Sequence, residues 1–156
     1  MVIVSACLLG IKCRYDGKSR PDELLLSLVP DKLFIPVCPE QLGGLSTPRL
    51  PAEITEGDGV DVVVGRSTVS NSNNQDITAQ FLNGAHETRR IARLFHADTA
   101  ILKEMSPSCG VHCIKRGGII HGGMGVTAAL LKKDGIIIIS SDSIEEEYVP
   151  DHRYRK

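Results

Sequence analysis

The chain has 156 residues, of which 42% are hydrophobic and 24% are charged, a composition typical of one soluble globular domain. Its formal net charge is −1 and aromatic residues make up only 4%, which argues against binding to nucleic acid or to an anionic membrane. The apolar stretch over residues 2–9 is too short to span a bilayer, and no basic segment precedes it. We therefore expect a cytoplasmic protein without a membrane anchor, whose thiols stay reduced.

The first part of the chain alternates between strand and helix signals. Residues 1–6 are apolar and β-branched and predict a buried strand. An acidic, leucine-rich segment over residues 21–29 predicts a short helix, with Pro21 as its first residue. A second strand is predicted over residues 32–37, where Pro36 indicates either an irregular strand end or the edge of a sheet.

The middle of the chain is less regular. Residues 39–59 are rich in Gly and Pro and predict a long functional loop, whereas residues 61–65 predict a short strand. Segment 70–75 is polar, and we expect it to be mobile. A helical stripe of apolar residues predicts a helix over residues 77–95, with Asp76 as its cap.

The last third of the chain returns to the alternating pattern. Its segments predict a strand, a glycine-rich loop, a helix and a buried strand, over residues 99–103, 117–125, 126–133 and 136–139. The charged tail from about residue 145 is expected to be peripheral. Together the elements predict a single α/β domain over residues 1–156, with a mostly parallel sheet, helices on both faces and a site at the C-terminal ends of the strands.

Three of the five cysteines follow predicted strands. Cys7 comes directly after the first strand, Cys38 after the second, and Cys109 follows the third across a short turn. Because the carboxyl ends of parallel strands lie at one edge of the sheet, we expect these thiols to converge. Soft thiolates suit Zn²⁺ or an iron–sulfur cluster, and three ligands leave one position open for catalysis. The spacing does not separate these two kinds of metal site.

The remaining cysteines lack this placement. An odd number of cysteines without a CxxC pair argues against a disulfide framework. Cys13 is interpreted as a space-filling residue, although its basic neighbours Lys12 and Arg14 would favour a thiolate. Cys113 follows His112 in a predicted loop, and a role as a metal ligand is the minority interpretation.

Polar residues accompany the predicted thiol cluster. Glu40 lies two residues beyond Cys38, where a carboxylate can move protons. Ser106 and Ser108 flank a proline just before the third cysteine, and each is either a turn residue or a hydroxyl that aligns water or substrate. Asp16 is interpreted as a turn residue, with substrate binding as the alternative.

Five short motifs occur in a specific order along the chain. They are VSACLLG (4–10), RYDG (14–17), PVCPEQLGGL (36–45), PAEI (51–54) and SPSCG (106–110). Together they resemble the thiouracil desulfidase family, which was long catalogued as a bacterial domain of unknown function. The resemblance covers about residues 2–142, nearly the whole chain.

This resemblance has specific implications for the site. It implies a [4Fe–4S] cluster held by only three cysteines, Cys7, Cys38 and Cys109. The fourth iron is then free to take sulfur from a thiolated pyrimidine such as thiouracil, and water replaces the sulfur at carbon without electron transfer. The resemblance also implies a catalytic glutamate, Glu40, and a catalytic serine, for which Ser106 is favoured over Ser108. A protein prepared in air could contain zinc or an empty site instead.

The sequence also departs from the family. Residues 111–116 stand where a glycine-rich stretch is expected, and the polar insert over residues 70–75 is unusual. Without an extra domain or a basic excess, a free base or small thioamide is a better substrate candidate than thiolated tRNA. Two other functions stay open: a non-catalytic metal-binding or redox-sensing module that uses the same cysteines, and a cysteine-dependent hydrolase. The sequence does not indicate the oligomeric state.

Overall fold

A four-stranded parallel sheet forms the centre of the protein. The computed structural model describes residues 1–148. In chain order the elements are β1 (Val2–Ser5), α1 (Glu23–Leu28), β2 (Phe34–Val37), α2 (Pro39–Leu42), β3 (Ala52–Ile54), α3 (Gly59–Val63), β4 (Val69–Asn71), α4 (Thr78–Leu94), β5 (Thr99–Leu102), β6 (Cys113–Arg116), β7 (Ile119–Gly122), α5 (Val126–Lys133), β8 (Ile137–Ser140) and α6 (Ile144–Glu147). The central sheet has the order β2-β1-β5-β8, and all of its strand pairs are parallel.

Helices cover both faces of this sheet. Successive side chains of a strand point to opposite faces, so the fully buried neighbours Ile3 and Val4 belong to different cores. Ile3 packs in one cluster with Leu131 of α5, whereas Val4 packs in another with Leu25 of α1. Burial on both faces explains why the central strands are continuous apolar runs. The prediction of an α/β fold with a mostly parallel sheet is confirmed.

Several predicted elements occur with shifted ends. Pro36 lies in β2, an edge strand of the sheet, as its missing N–H donor indicated. The first helix begins at Glu23 and not at Pro21, because Asp22 is its N-cap and its side chain accepts the Leu25 N–H at 3.0 Å. The long helix α4 is confirmed, but its N-cap is Ile77 and not Asp76. Asp76 lies one residue earlier, where its side chain accepts the Thr78 N–H at 2.9 Å.

The strand predicted over residues 61–65 is wrong. Residues 61–63 belong to α3, which begins with a capping box formed by Asp58 and Asp61, and residues 64–65 lie in the turn that follows it. A short apolar run fits either a strand or a helix, and here the capping residues decide for the helix. The long loop predicted over residues 39–59 also contains regular structure, because α2 and β3 lie within it.

Two antiparallel strand pairs lie where loops were predicted. Polar segment 70–75 is not an irregular insert: β4 pairs with β3, and the Asn71 side chain accepts the N–H groups of Asn73 and Gln75 in the following turn. The predicted glycine-rich loop contains β7, which pairs with β6, so Cys113 lies in a strand and not in a loop. The last strand is less buried than predicted, since β8 is an edge strand in which Ile137 is 62% exposed.

The C-terminal tail is described only in part. The ring of Tyr148 lies 6.4 Å from that of Phe34, between centroids, so the start of the tail contacts the sheet region. Residues 149–156, which make up most of the tail predicted to be peripheral, lie outside the described residues.

Gly84 allows α2 and α4 to pack in direct contact. A Cβ atom at this position would overlap the carbonyl oxygen of Pro39. We expect Gly84→Ala to lower the free energy of unfolding by about 1–3 kcal/mol, the usual cost of overpacking, which exceeds the gain of about 1 kcal/mol in helix propensity. Urea denaturation measures the change. Asn83→Ala, on the exposed side of the same helix, is the control, and equal stability of the two variants would contradict the packing argument.

Candidate active site

The three strand-end cysteines line one cavity. Cys7 lies in a 3-10 turn directly after β1, Cys38 follows β2 and is the N-cap of α2, and Cys109 follows β5 across a turn. All three border a cavity of about 660 Å³ at the C-terminal ends of these strands. Cys7 and Cys109 are buried, and Cys38 is half-buried. The structure therefore brings together the thiols that the strand pattern singled out.

The thiols lie within electrostatic reach of one another. Burial raises the pKa of Cys109 to about 12, and the charge of a Cys38 thiolate adds to this rise. The pKa of Cys38 is raised chiefly by its hydrogen bond with Cys13 and by burial, while the charge of Arg49 acts in the opposite direction. The pKa of Cys7 is lowered, mainly by a hydrogen bond from the Cys13 thiol. Metal binding to these groups would thus release protons.

The donor set of this cavity fits a thiophilic metal centre. Cys7, Cys38 and Cys109 are soft sulfur donors that line one cavity, and soft thiolates bind Zn²⁺ and iron–sulfur clusters. Within residues 1–148, no group of three or more His, Cys, Asp and Glu side chains is placed to hold a metal ion.

The turn before Cys109 separates the two candidate serines. Ser106 lines the cavity, and its Oγ accepts the N–H groups of Ser108 and Cys109 at 3.2 and 3.1 Å. The Ser108 hydroxyl is buried, lies 3.0 Å from Thr127 Oγ1 and also forms a hydrogen bond with the Cys109 thiol. Ser108 therefore contacts the cysteine without lining the cavity, whereas Ser106 faces the space available to substrate.

Glu40 lines the same cavity and is paired with an arginine that sequence analysis missed. Its Oε2 accepts the Nε–H of Arg49 at 2.6 Å, and the two side chains are 14% and 7% exposed. Arg49 also borders the cavity. It lies between the motifs at 36–45 and 51–54, in the segment predicted to be a functional loop. The sequence feature that could have pointed to Arg49 is therefore its position as a basic residue inside this predicted loop.

Three further candidates have different surroundings. Cys13 is buried and lines the cavity, where its thiol interacts with those of Cys7 and Cys38. Cys113 does not line the cavity, and its sulfur lies 3.7 Å from a carboxylate oxygen of Glu104. Asp16 is exposed and accepts the backbone N–H of Lys18 at 3.0 Å, which supports the interpretation as a turn residue.

Glu104 is a buried carboxylate that sequence analysis did not single out. Its Oε1 accepts the backbone N–H groups of Val111, His112 and Cys113 at 2.8, 3.1 and 3.0 Å, and its Oε2 accepts the Ser140 hydroxyl. Burial acts to raise its pKa, but these hydrogen bonds outweigh burial, and the net pKa is lowered. Glu104 thus fixes the chain that leaves the Cys109 turn.

We expect Glu104→Gln to lower the free energy of unfolding by about 2–3 kcal/mol at pH 7, the scale of hydrogen bonds to a charged group. Because the pKa of Glu104 is lowered in the folded state, the carboxylate contributes fully above its ordinary pKa of 4.5. This contribution is lost as the pH falls through the lower, folded-state value. Urea denaturation across this range measures the difference from the unmodified protein. A difference that grows on acidification would contradict the assignment.

Fold and site together define an α/β protein in which cysteine thiols at the carboxyl ends of parallel strands line a cavity that also holds a carboxylate and a hydroxyl. The family model for 2-thiouracil desulfurase matches residues 2–143. The chain belongs to this family.

Individual relatives cover nearly the whole chain. A Bacillus subtilis (strain 168) protein, "Uncharacterized protein YbbK", is 44% identical over 149 residues, which are 94% of this chain and 99% of that protein. A solved structure, "[4Fe-4S]-dependent thiouracil desulfidase TudS", is 38% identical and superimposes with a TM-score of 0.83 over 96% of this chain and 95% of that chain. The family resemblance is confirmed. Within residues 1–148, the helices are too short or too polar to cross a bilayer.

Proposed function

We propose that this protein is a [4Fe–4S]-dependent desulfidase that acts on thiouracil-like thiopyrimidines. Water supplies the oxygen that replaces the thiocarbonyl sulfur, and the sulfur leaves as hydrogen sulfide, so the reaction is balanced without an oxidant or a reductant. The observation that carries the proposal is the cavity in which three cysteines lie beside Glu40 and Ser106. Membership of the family and the likeness to a solved thiouracil desulfidase support it.

The cysteines are proposed to hold the cofactor. Cys7, Cys38 and Cys109 would bind the cluster as thiolates, each losing its proton on binding. When bound, the cluster supplies an iron without a protein ligand that can attract the substrate sulfur. The Ser108 hydroxyl and the hydrogen bond from the Cys109 N–H to Ser106 Oγ orient Cys109. Supporting contacts of this kind normally fix ligand geometry in metal sites.

Glu40 and Ser106 are proposed to handle water and protons. Glu40 would take a proton from the attacking water and return it to the departing sulfur or to a ring nitrogen, as a general base and then an acid. The Ser106 oxygen already accepts two backbone N–H groups. Its hydroxyl hydrogen is therefore available to a water or to the substrate, because a hydroxyl has one donor and two acceptor positions.

The substrate is proposed to be a small thiopyrimidine in the cytoplasm. A cavity of about 660 Å³ is in the range of small-molecule sites, and a formal net charge of −1 gives no general attraction to tRNA. The alternative of a cysteine-dependent hydrolase requires a histidine beside the nucleophile. In the described part of the chain no histidine lines the cavity, which favours the desulfidase.

The proposal predicts catalytic release of sulfide. Protein loaded with its cluster without oxygen should convert 2- or 4-thiouracil into uracil and an equal amount of sulfide, over many turnovers and without added reductant. Uracil is measured by chromatography and sulfide by a colorimetric assay, with the cluster-free protein as the control. Release of no more than one equivalent would indicate a non-catalytic module instead, and no release from either thiobase would make the substrate assignment wrong.

A further inference from the structure

Arg49 connects several parts of the cavity wall. Its Nε donates to Glu40 Oε2 at 2.6 Å. Its Nη1 donates to the carbonyl oxygens of Cys13 and Ser46 at 3.1 and 3.2 Å and to Thr47 Oγ1 at 3.1 Å. The side chain is only 7% exposed. Four groups from two separate segments of the chain are therefore held by one guanidinium.

The remaining nitrogen of Arg49 faces a proposed cluster ligand. Nη2 lies 4.0 Å from Cys38 Sγ, within range of a long N–H···S contact. A thiolate at Cys38 accepts such a hydrogen bond, and the permanent charge of a guanidinium strengthens it. The same side chain thus contacts both the proposed base and one of the proposed ligands.

An ion pair on the surface has a different pattern of contacts. Arg66 pairs with Asp61 at 2.7 Å, but the arginine side chain is 66% exposed and does not line the cavity. Burying an ion pair costs desolvation, so a buried pair is weak evidence for added stability. In Arg49 the buried charge is also directed at the cavity, which points to a role in the reaction.

We propose that Arg49 is a positioning residue for the desulfidase, which fixes the Glu40 carboxylate beside the cavity and donates Nη2–H to the Cys38 sulfur. The kinetic part of this inference rests on the proposed function, whereas the contact with Cys38 does not. Lysine cannot replace it fully, because an ammonium is a point charge and cannot serve both partners with a rigid fork.

The contact with Cys38 has a consequence that is independent of turnover. Charge near a cluster and hydrogen bonds to its sulfurs set its reduction potential. Arg49→Gln removes a positive charge, so the added electron is stabilised less and the midpoint potential should fall. Arg49→Lys keeps the charge, so its midpoint potential should lie between those of Arg49→Gln and the unmodified protein. Arg66→Gln, which removes a paired arginine outside the cavity, should leave the midpoint unchanged.

The experiment compares these variants as anaerobically loaded proteins. Iron content and visible absorption report loading, a redox titration reports the midpoint, and kcat and KM for thiouracil report the kinetics. We expect full loading, the stated order of midpoints, and a kcat that falls about 10²-fold in both Arg49 variants, the scale of a misplaced catalytic group. KM should change much less.

Three results would overturn the inference. The first is an unchanged midpoint and kcat in a less stable protein, which would make Arg49 a structural anchor. The second is loss of the cluster from folded Arg49→Lys and Arg49→Gln, which would make it necessary for assembly. The third is a fall in kcat without any change in midpoint potential, which would show that Arg49 does not donate a hydrogen bond to the Cys38 sulfur of the loaded protein. If Arg49→Gln does not fold, Arg49→Lys carries the test. If no thiobase is turned over at all, the midpoints still test the contact.

Discussion

Cys38→Ser should leave a folded protein that holds no cluster. Serine is a poor ligand for iron compared with a soft thiolate, so one of the three ligands is lost. The fold should survive, because Cys38 is the N-cap of α2 without a side-chain capping bond, and serine is a favoured residue at that position. Iron content and visible absorption after anaerobic loading measure the loss, and circular dichroism checks the fold. Cys7→Ser and Cys109→Ser should behave in the same way.

The presence of a fourth thiol in the cavity makes the controls decisive. Cys113 does not line the cavity, so Cys113→Ser should load normally. Cys13 does line it and interacts with Cys7 and Cys38, but a hydroxyl can take over these hydrogen bonds, and Cys13→Ser should load as well. Loss of the cluster from Cys13→Ser together with its retention in Cys38→Ser would show that the ligand assignment is wrong.

The central sheet could be predicted because local and global signals agree there. Residues 2–5 and 99–102 are short and mostly apolar, and both form strands buried on two faces. The positions of Cys7 and Cys109, which follow these two strands, then fix the edge of the sheet at which they lie. Because the strands are parallel, their carboxyl ends lie at the same edge of the sheet even when they are distant in sequence.

Other features depend on contacts between residues that the sequence pattern alone does not indicate. The run at residues 61–64 fits a strand as well as a helix, and only the capping residues Asp58 and Asp61 distinguish them. Arg49 pairs with Glu40 across a segment without periodicity, so its burial could not be predicted from spacing. Glu104 looked like an ordinary residue after a strand, and its three backbone partners lie in the bend before β6 and at the first residue of β6, which come next to it only in the folded protein.

Glu40→Gln should separate cluster binding from catalysis. Glu40 lines the cavity but is not among the proposed ligands, and a glutamine oxygen can still accept the Nε–H of Arg49, so the cluster should assemble. The amide cannot act as a base, and turnover per cluster should fall about 10²–10⁴-fold, the usual scale of general acid–base catalysis. Iron content measured on the same samples as sulfide release makes this comparison possible. Loss of the cluster would show that Glu40 is structural or a ligand.

The two serines should then differ in how they affect turnover and loading. Ser106→Ala removes a hydroxyl that faces the cavity, so turnover per cluster should fall on the same scale as in Glu40→Gln. Ser108→Ala removes a buried hydroxyl that contacts Thr127 and Cys109, so it should weaken cluster retention and have a much smaller effect on turnover per cluster. A larger fall in turnover per cluster in Ser108→Ala than in Ser106→Ala would place the catalytic hydroxyl at Ser108. That result would require the turn to rearrange when substrate binds, because the Ser108 hydroxyl does not line the cavity in this structure.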